Sequence, residues 1–364
     1  MYSHNIAKVE TVEIQSPDCE ILTVQINGQL ARAINYVPLT GSAAIGDYVV
    51  LNTMAVELNL GSGSYHFVIL NFRRLKHCSK GKGHIMKLRY TPLQMRVLAV
   101  EEEASPVHKV IADAMTLAGM PVLVAELHSM LAPAVLTLKK EKPAWRIAYL
   151  MTDGGALPAF FSNTVRILRE RGLLCGVITA GHAFGGDLEA INVYSGLLAA
   201  RHVLQADITI VCMGPGVVGT ATPFGFSGIE LADNLNRVYS LRGRAVVLPR
   251  ISFADSRPRH YGLSHHTITA LKHAVLVSVD LPLPVLKPEE QQLLQEQIKK
   301  HQINKKHRLF FYDNLSLAHL ATEAQLCRTM GRTLDEDPAF FLAAVAAAKH
   351  LITIQTNINE FAEQ

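Results

Sequence analysis

Five cysteines stand among 364 residues, an odd number, and no two form a CxxC pair. Neither a disulfide framework nor a cysteine-held zinc site is therefore expected, and a reducing compartment fits best. Of Cys19, Cys78, Cys175, Cys212 and Cys327, the pair Cys175 and Cys212 lie inside apolar runs and read as buried core thiols, not nucleophiles. The single tryptophan, Trp145, precedes a strand and reads as packing. A dense basic block is also missing. The net charge is +4, but Lys76, Lys80, Lys82, Lys87 and Arg89 are interrupted by apolar residues and read as a solvated loop and strand edge, so nucleic acid is not an expected partner. The opening MYSHNIAKVE has no charged segment followed by an apolar run, so no signal peptide is expected. The most apolar helix, PAFFLAAVAAAKHL, is interrupted by Lys349 and His350 and falls short of the roughly 20 apolar residues that a bilayer requires. A cytoplasmic protein with no membrane partner is the expectation. No HExxH, Walker lysine motif or GxSxG elbow occurs, and Gly61-Ser62-Gly63-Ser64 lacks a P-loop lysine and reads as a turn.

What is present suffices for large cores: 49% of residues are apolar and 18% charged. Residues 1–103 read as strands only. ILTVQIN and QLARAINYV flank Asn27-Gly28, a hairpin signal because both residues tolerate positive φ. DYVVLNTMAV and YHFVILNF follow, and helical periodicity is absent, which predicts a small OB-like or SH3-like barrel. The polar EEEASP, Glu101 to Pro106, marks the boundary. From 104 to 364 apolar strands alternate with amphipathic helices. The expected fold class is α/β: a parallel Rossmann-like sheet with helices on both faces, preceded by a small all-β, barrel-like N-terminal domain. DLEAINVYSGLLAARHVLQ is read as one helix begun at Asp187, Ser227 and Glu230 as a capping box, and two closing helices over about Ser316 to Met330 and Pro338 to Ile354, the second capped by Asp337.

In such a sheet the loops leaving the carboxyl ends of the strands lie on one side, where ligands bind. The unusual residues occur in those loops. The first strand ends in Glu126 and His128, the second in Asp153, Gly154 and Gly155, and the third in His182, Gly185, Gly186 and Asp187. The fourth ends in Gly214, Gly216, Gly219 and Thr220, and the fifth in Arg250, Arg257, Arg259, His260, His265 and His266. The GPGVVG segment matches G-x-G-x-x-G, but a further stretch separates it from the next helix, so a dinucleotide site is not expected. Its glycines would let backbone N–H groups approach an anion. His265 and His266 are adjacent on a helix, so only one is expected to face the site.

These residue types suit metal-assisted hydrolysis of a small anionic metabolite, phosphorylated or carboxylated. A divalent metal is expected from among Asp153, His182, Asp187, His260 and His265. Catalytic candidates are Asp153, His182 and His260, with Glu126 and His128 for proton transfer. Arg250, Arg257 and Arg259 would hold the anion, with the glycine loops adding backbone donors. The rival reading is a non-catalytic nucleotide- or metabolite-binding regulator, and a homo-oligomer is compatible with either.

The segments YTPLQ, MTDGGALP, FGGDLEA, GLLAARHVL, TPFGFSG and RPRHYGLSHHT together resemble an uncharacterised bacterial protein family, domain of unknown function 3866, over nearly the whole chain. The resemblance implies bacterial origin and assigns no activity or catalytic role.

Overall fold

The structure is a computed structural model that describes residues 3–60, 63–76 and 82–362. Gly61, Ser62, Cys78 and Lys80 lie outside the described residues. The chain divides into two units, Met1–Leu98 and Ala99–Gln364.

In the first unit, β1 (His4–Ser16), β2 (Cys19–Ile26), β3 (Gln29–Tyr36), β4 (Tyr48–Asn52) and β5 (Tyr65–Asn71) close a barrel in the order β1-β2-β3-β5-β4. β4 pairs back on β1, and β3 and β5 run parallel. This strand order is that of an OB barrel, not an SH3-like one. The β2–β3 hairpin turns at Asn27 (φ 50°) and Gly28 (φ 80°), as a two-residue turn with both central residues at positive φ requires. Val9, Leu22, Val24, Ala33, Val49 and Leu51 alternate with outward residues and fill the interior without exposure. The strand expected through Met54 stops at Asn52, whose side-chain oxygen accepts the Met54 N–H at 3.1 Å and turns the chain into a short helix. A small hairpin, β6 (Ile85–Lys87) with β7 (Met95–Val97), ends the unit. Lys87 is fully buried there, which corrects its reading as solvated; Lys76, Lys82 and Arg89 are exposed.

The acidic stretch is bonded into the second unit. Ala99 bridges to Glu189, Val100 N–H donates to the Glu189 carbonyl at 2.8 Å, and the Glu102 carboxylate accepts the Ala99 N–H at 2.7 Å. Backbone pairing thus draws residues from Ala99 onward into the second unit.

That unit is built on β8 (Pro121–Ala125), β9 (Ile147–Thr152), β10 (Gly176–Ala180), β11 (Leu188–Ala190), β12 (Ile208–Met213) and β13 (Arg244–Leu248). A short antiparallel pair, β14 (Ile251–Ser252) and β15 (Gly262–Leu263), comes next, and β16 (Asp280–Pro284) and β17 (Arg308–Tyr312) complete it. Eight strands form one sheet in the order β11-β10-β9-β12-β8-β13-β16-β17, and every neighbouring pair is parallel. Val122, Leu123 and Val124 are all wholly buried, as a sheet covered on both faces demands. Right-handed crossovers send β8→β9→β10 in one direction and β12→β13 in the other, so their helices lie on opposite faces. The helix Leu131–Glu141 packs beside Pro338–Ala362, and the helices Val193–His202 and Glu230–Ser240 pack together.

Three helical expectations change. Residues 188–190 pair with β10 as β11, and the helix begins only at Val193, capped by Asn192. Helix over Ser316 to Met330 reduces to Ala318–Ala321. The last helix runs Pro338–Ala362, and its Asp337 side chain binds Ser252 and Arg332 instead of capping. By length and composition the stretch Pro338–Gln355 could cross a membrane, yet 72% of it is buried inside the fold, as in a core helix. His350, expected to interrupt it, is inside the fold and bonds Asp280 at 3.0 Å.

Candidate functional site

β9 and β12 are neighbours whose following connections leave in opposite directions, and so are β8 and β13. The carboxyl ends of the four central strands therefore form the switch-point crevice of the sheet. Glu126 stands at the end of β8, Asp153 at that of β9, Gly214 at that of β12 and Arg250 just beyond β13.

Glu126 is the hub of the right-hand half. It is 1% exposed and accepts from His266 Nδ1 at 2.9 Å and Thr267 Oγ1 at 3.0 Å, with Arg250 Nη1 at 3.6 Å. Burial pushes its carboxyl up, but the His266 hydrogen bond and the Arg250 charge outweigh that and hold it below the usual carboxylate range. The carboxylate is thus an acceptor only, which places a proton on His266 Nδ1 and leaves Nε2 outside that bond.

Local folding brings two more histidines to that nitrogen. β14 and β15 pair as a narrow antiparallel ribbon, Ile251 with Leu263 and Ser252 with Gly262, which folds the intervening loop back and returns His260 beside the next helix. Ser264 caps that helix by accepting the His266 N–H at 3.2 Å, and its hydroxyl also bonds His260 Nδ1 at 2.8 Å. The ring centres of His260, His265 and His266 lie 4.3 to 4.9 Å apart. One nitrogen from each falls within 4.8 Å of the others, the one such His, Cys, Asp or Glu group among the described residues. His265 Nε2 is buried without a hydrogen-bond partner. Burial, with the nearby Arg250 and Arg257 charges, pushes His260 down to about 3. Burial with His266 and Arg259 pushes His265 down to about 4. Both imidazoles are neutral at pH 7, as metal ligands must be. The His266 ring stacks flat on Phe226 at 3.8 Å, and a Cβ at Gly219 would lie 3.4 Å from its Nε2. Glycine at 219 keeps that nitrogen accessible.

Of the five residues expected to hold a metal, His260 and His265 lie together, with His266 beside them, so both adjacent histidines face one cluster. Asp153, His182 and Asp187 lie outside it. Asp153 is exposed and accepts the His182 N–H at 2.9 Å, tying the loop after β9 to the loop after β10. Asp187 pairs with Arg169 and accepts the Val177 N–H at 2.8 Å; it caps no helix because a strand follows it. His128 is spent internally, its Nε2 on Ser162 Oγ at 2.7 Å and its Nδ1 near Tyr149 Oη and the Met213 carbonyl. Burial pushes it down to about 4. That network suits a neutral strut, not a proton carrier.

The arginines divide as well. Arg250 is buried between Glu126 and Asp255, 3.1 Å from the latter, and Arg257 grips Asp255 at 2.7 Å. The Arg257 hydrogen bond holds the Asp255 carboxyl far below its ordinary value. Both guanidiniums are engaged, which leaves the exposed Arg259 as the cation beside the histidines.

The glycines serve close packing. A Cβ at Gly155 would strike the Gly214 carbonyl at 2.4 Å, at Gly214 the Ala156 carbonyl at 2.5 Å, and at Gly186 the Val177 carbonyl at 2.8 Å. Gly185 (φ 89°) faces the Phe160 ring, and Gly216 has φ 104°. Thr220 closes its loop onto the Gly225 carbonyl at 2.7 Å.

Left of the switch point lies an open cavity of about 290 Å³ walled by Thr152, Asp153, Asn192, Tyr194, Glu230 and Arg237. Glu230 accepts from Thr152 Oγ1 instead of closing a capping box. Burial, opposed by that bond and aided by the Asp153 charge, pushes its carboxyl up to about 7. Sequence reasoning missed Glu230, Asp255, Asn192, Tyr194 and Arg237, since each carries an ordinary cap, loop or helix-surface pattern.

These features define a doubly wound α/β protein with a histidine–carboxylate cluster and a polar cavity along one sheet end. The profile of the family described as Protein of unknown function (DUF3866) matches residues 32–348, and the chain belongs to that family. No curated protein matches it.

Proposed function

We propose that the sheet unit is a metal-assisted hydrolase acting on a small anionic metabolite, phosphorylated or carboxylated. One observation carries the reading: two imidazoles spend Nδ1 on Glu126 and Ser264, and a third keeps a buried Nε2 without a partner, all in one cluster. Ligating histidines ordinarily donate the other ring N–H to a carboxylate, which is the Glu126–His266 arrangement. The fit is incomplete by a definite amount. Zinc–nitrogen bonds of about 2.0–2.1 Å put tetrahedral ligand nitrogens about 3.3 Å apart, so the widest pair, within 4.8 Å, closes by roughly 1.5 Å through side-chain rotation. An all-imidazole set suits zinc and other first-row ions. His260, His265 and His266 would hold the ion, which would supply Lewis-acid activation of water at neutral pH.

The chain's own residues do the rest. Glu126 orients His266, Phe226 fixes its plane, and Arg259 attracts the substrate anion. The test is elemental analysis of the full chain purified without added metal, with p-nitrophenyl phosphate and p-nitrophenyl acetate as probes. One equivalent of a first-row divalent ion, lost together with hydrolysis in His265→Ala, is the expected result. A metal-free chain that gains neither ion nor activity on adding zinc, cobalt or manganese overturns the reading.

A further inference from the structure

The cavity at Asp153, Gly181, Asn192, Tyr194, Glu230 and Arg237 plays no part in the histidine cluster, yet it opens at the same end of the sheet. We propose that it is a second subsite, holding the polyhydroxylated body of the same substrate, so that the substrate class is a sugar-like anion. This rests on the proposed hydrolytic site for the anionic end and goes beyond it in naming the rest of the molecule.

The wall is built to present carboxylates. A Cβ at Gly181 (φ 67°) would fall 2.2 Å from Asp153 Oδ2, and one at Gly154 would fall 2.5 Å from Glu230 Oε2. Any side chain at either position would displace the acid. Asn192 spends its carbonyl oxygen on the Ser195 N–H at 3.1 Å, which leaves its NH₂ as a donor. The Arg237 guanidinium lies 5.9 Å over the Tyr194 ring, and that ring is 43% exposed, offering a flat apolar platform. Acceptors, donors and an aromatic face are thus mixed within about 290 Å³.

A metal cation does not suit this set. Arg237 stands in the wall, and the first residues of two helices, Val193–His202 and Glu230–Ser240, line it with their positive ends. A simple anion does not suit it either, because Asp153, Glu230 and Asp233 share the space. Neutral hydroxyls, which donate and accept, satisfy both signs. Glu230, with its carboxyl pushed up to about 7, itself donates or accepts near neutral pH.

The spacing agrees. Glu126 follows β8 and Asp153 follows β9, with β12 between them, so two inter-strand steps, roughly 10 Å, separate the strand ends from which the two subsites are built. A phosphorylated pentose or hexose covers that length. The Ser227–Ile229 turn forms the ground between them, with a Cβ at Gly228 falling 3.0 Å from Glu126 Cγ and Glu230 following at once.

Calorimetric titration of the full chain with inorganic phosphate, D-ribose, D-ribose 5-phosphate and D-glucose 6-phosphate tests the proposal. At least one sugar phosphate should bind about tenfold or more tighter than phosphate. Asp153→Asn and, independently, Asn192→Asp, which keeps the helix cap, should remove that advantage and leave phosphate affinity and the thermal midpoint unchanged. His265→Ala should weaken phosphate while ribose binding persists. Sugar phosphates that bind no tighter than phosphate overturn the subsite, as does equal loss of phosphate affinity in Asp153→Asn. A chain that binds ribose at the Asp153 cavity but carries no metal overturns the hydrolytic reading alone.

Discussion

Two buried clusters in the sheet unit use the same residue types to different ends. Under the last helix, Asp280 takes Arg308 at 2.6 Å, Arg244 at 3.0 Å and His350 Nε2 at 3.0 Å, and His350 Nδ1 is bonded by Tyr312 Oη at 2.8 Å. Each ring nitrogen and each carboxylate oxygen there has a partner. At the carboxyl ends of the central strands Glu126 is equally buried and equally bonded, but its three histidines are not used up. His265 Nε2 is buried without a partner, and His260 and His266 each keep one nitrogen beyond those bonded to Ser264 and Glu126. Composition does not separate structural from functional clusters; saturation does. A closed network serves the fold, because every lone pair is already engaged. An open one, held in place by closed partners, retains capacity for a ligand.

The sharpest way to break this contrast is to cut each cluster. Asp280→Ala strips the buried His350 of its carboxylate partner and releases the half-exposed Arg244 and Arg308 to solvent, and is expected to cost about 2–3 kcal/mol in urea unfolding. His265→Ala removes only a side chain with an unpartnered atom and is expected to cost well under that, about 1 kcal/mol, while abolishing metal uptake. Equal destabilisation by the two changes would erase the distinction.

The next test is pH, where Asp280 and the Glu230 carboxyl of the cavity act with opposite sign. Burial raises the Asp280 carboxyl, but His350, Arg308 and Arg244 together hold it down at about 2. A depressed acid stabilises above its unfolded value, so this contribution is full above roughly pH 4 and is lost as pH falls toward 2. Glu230 is pushed up to about 7, chiefly by burial. A raised acid stabilises below its unfolded value, so its contribution is full below about pH 4.5 and is lost as pH rises through 7. In urea titrations Asp280→Asn should remove the acid-side fall, and Glu230→Gln should flatten the slope between about pH 4.5 and 7. An unchanged neutral slope in Glu230→Gln would show that its carboxyl is not held neutral.

The smallest expected effect concerns Gly219. A Cβ there would lie 3.3 Å from His266 Cε1 and 3.4 Å from Nε2, tight enough to crowd the ring without unfolding the loop. Gly219→Ala should weaken metal affinity about tenfold, within the range of changes around a ligating histidine, with little change in stability. A competition titration against a chelator measures it, and unaltered affinity would mean that this loop does not frame the site.

Much of the fold was legible because it follows from local pattern. Asn27-Gly28 announced the first hairpin, and continuous apolar runs such as Val122–Val124 and Ile208–Met213 announced strands buried on both faces. Elements that depend on a partner were not. Leu188–Ala190 reads as helix in isolation and becomes a strand because β10 offers an edge. Glu101 and Glu102 read as the boundary between domains and are tied down by backbone N–H groups of Ile191 and Ala99. In the site, Glu126, His260 and His265 could be picked out as polar residues after strands. His182 and Asp187 have the same signature, yet lie outside the histidine cluster, and Asp153 walls the neighbouring cavity instead.

By itself the sequence determined two units, a barrel followed by a parallel sheet, and the end of that sheet where polar residues collect. It could do so because periodicity and turn chemistry act over a few residues. Tertiary structure alone decided which of those residues meet. Glu126 and His266 are 140 positions apart, and whether an imidazole nitrogen ends up bonded or unpartnered depends on atoms that only the folded chain brings within 3 Å.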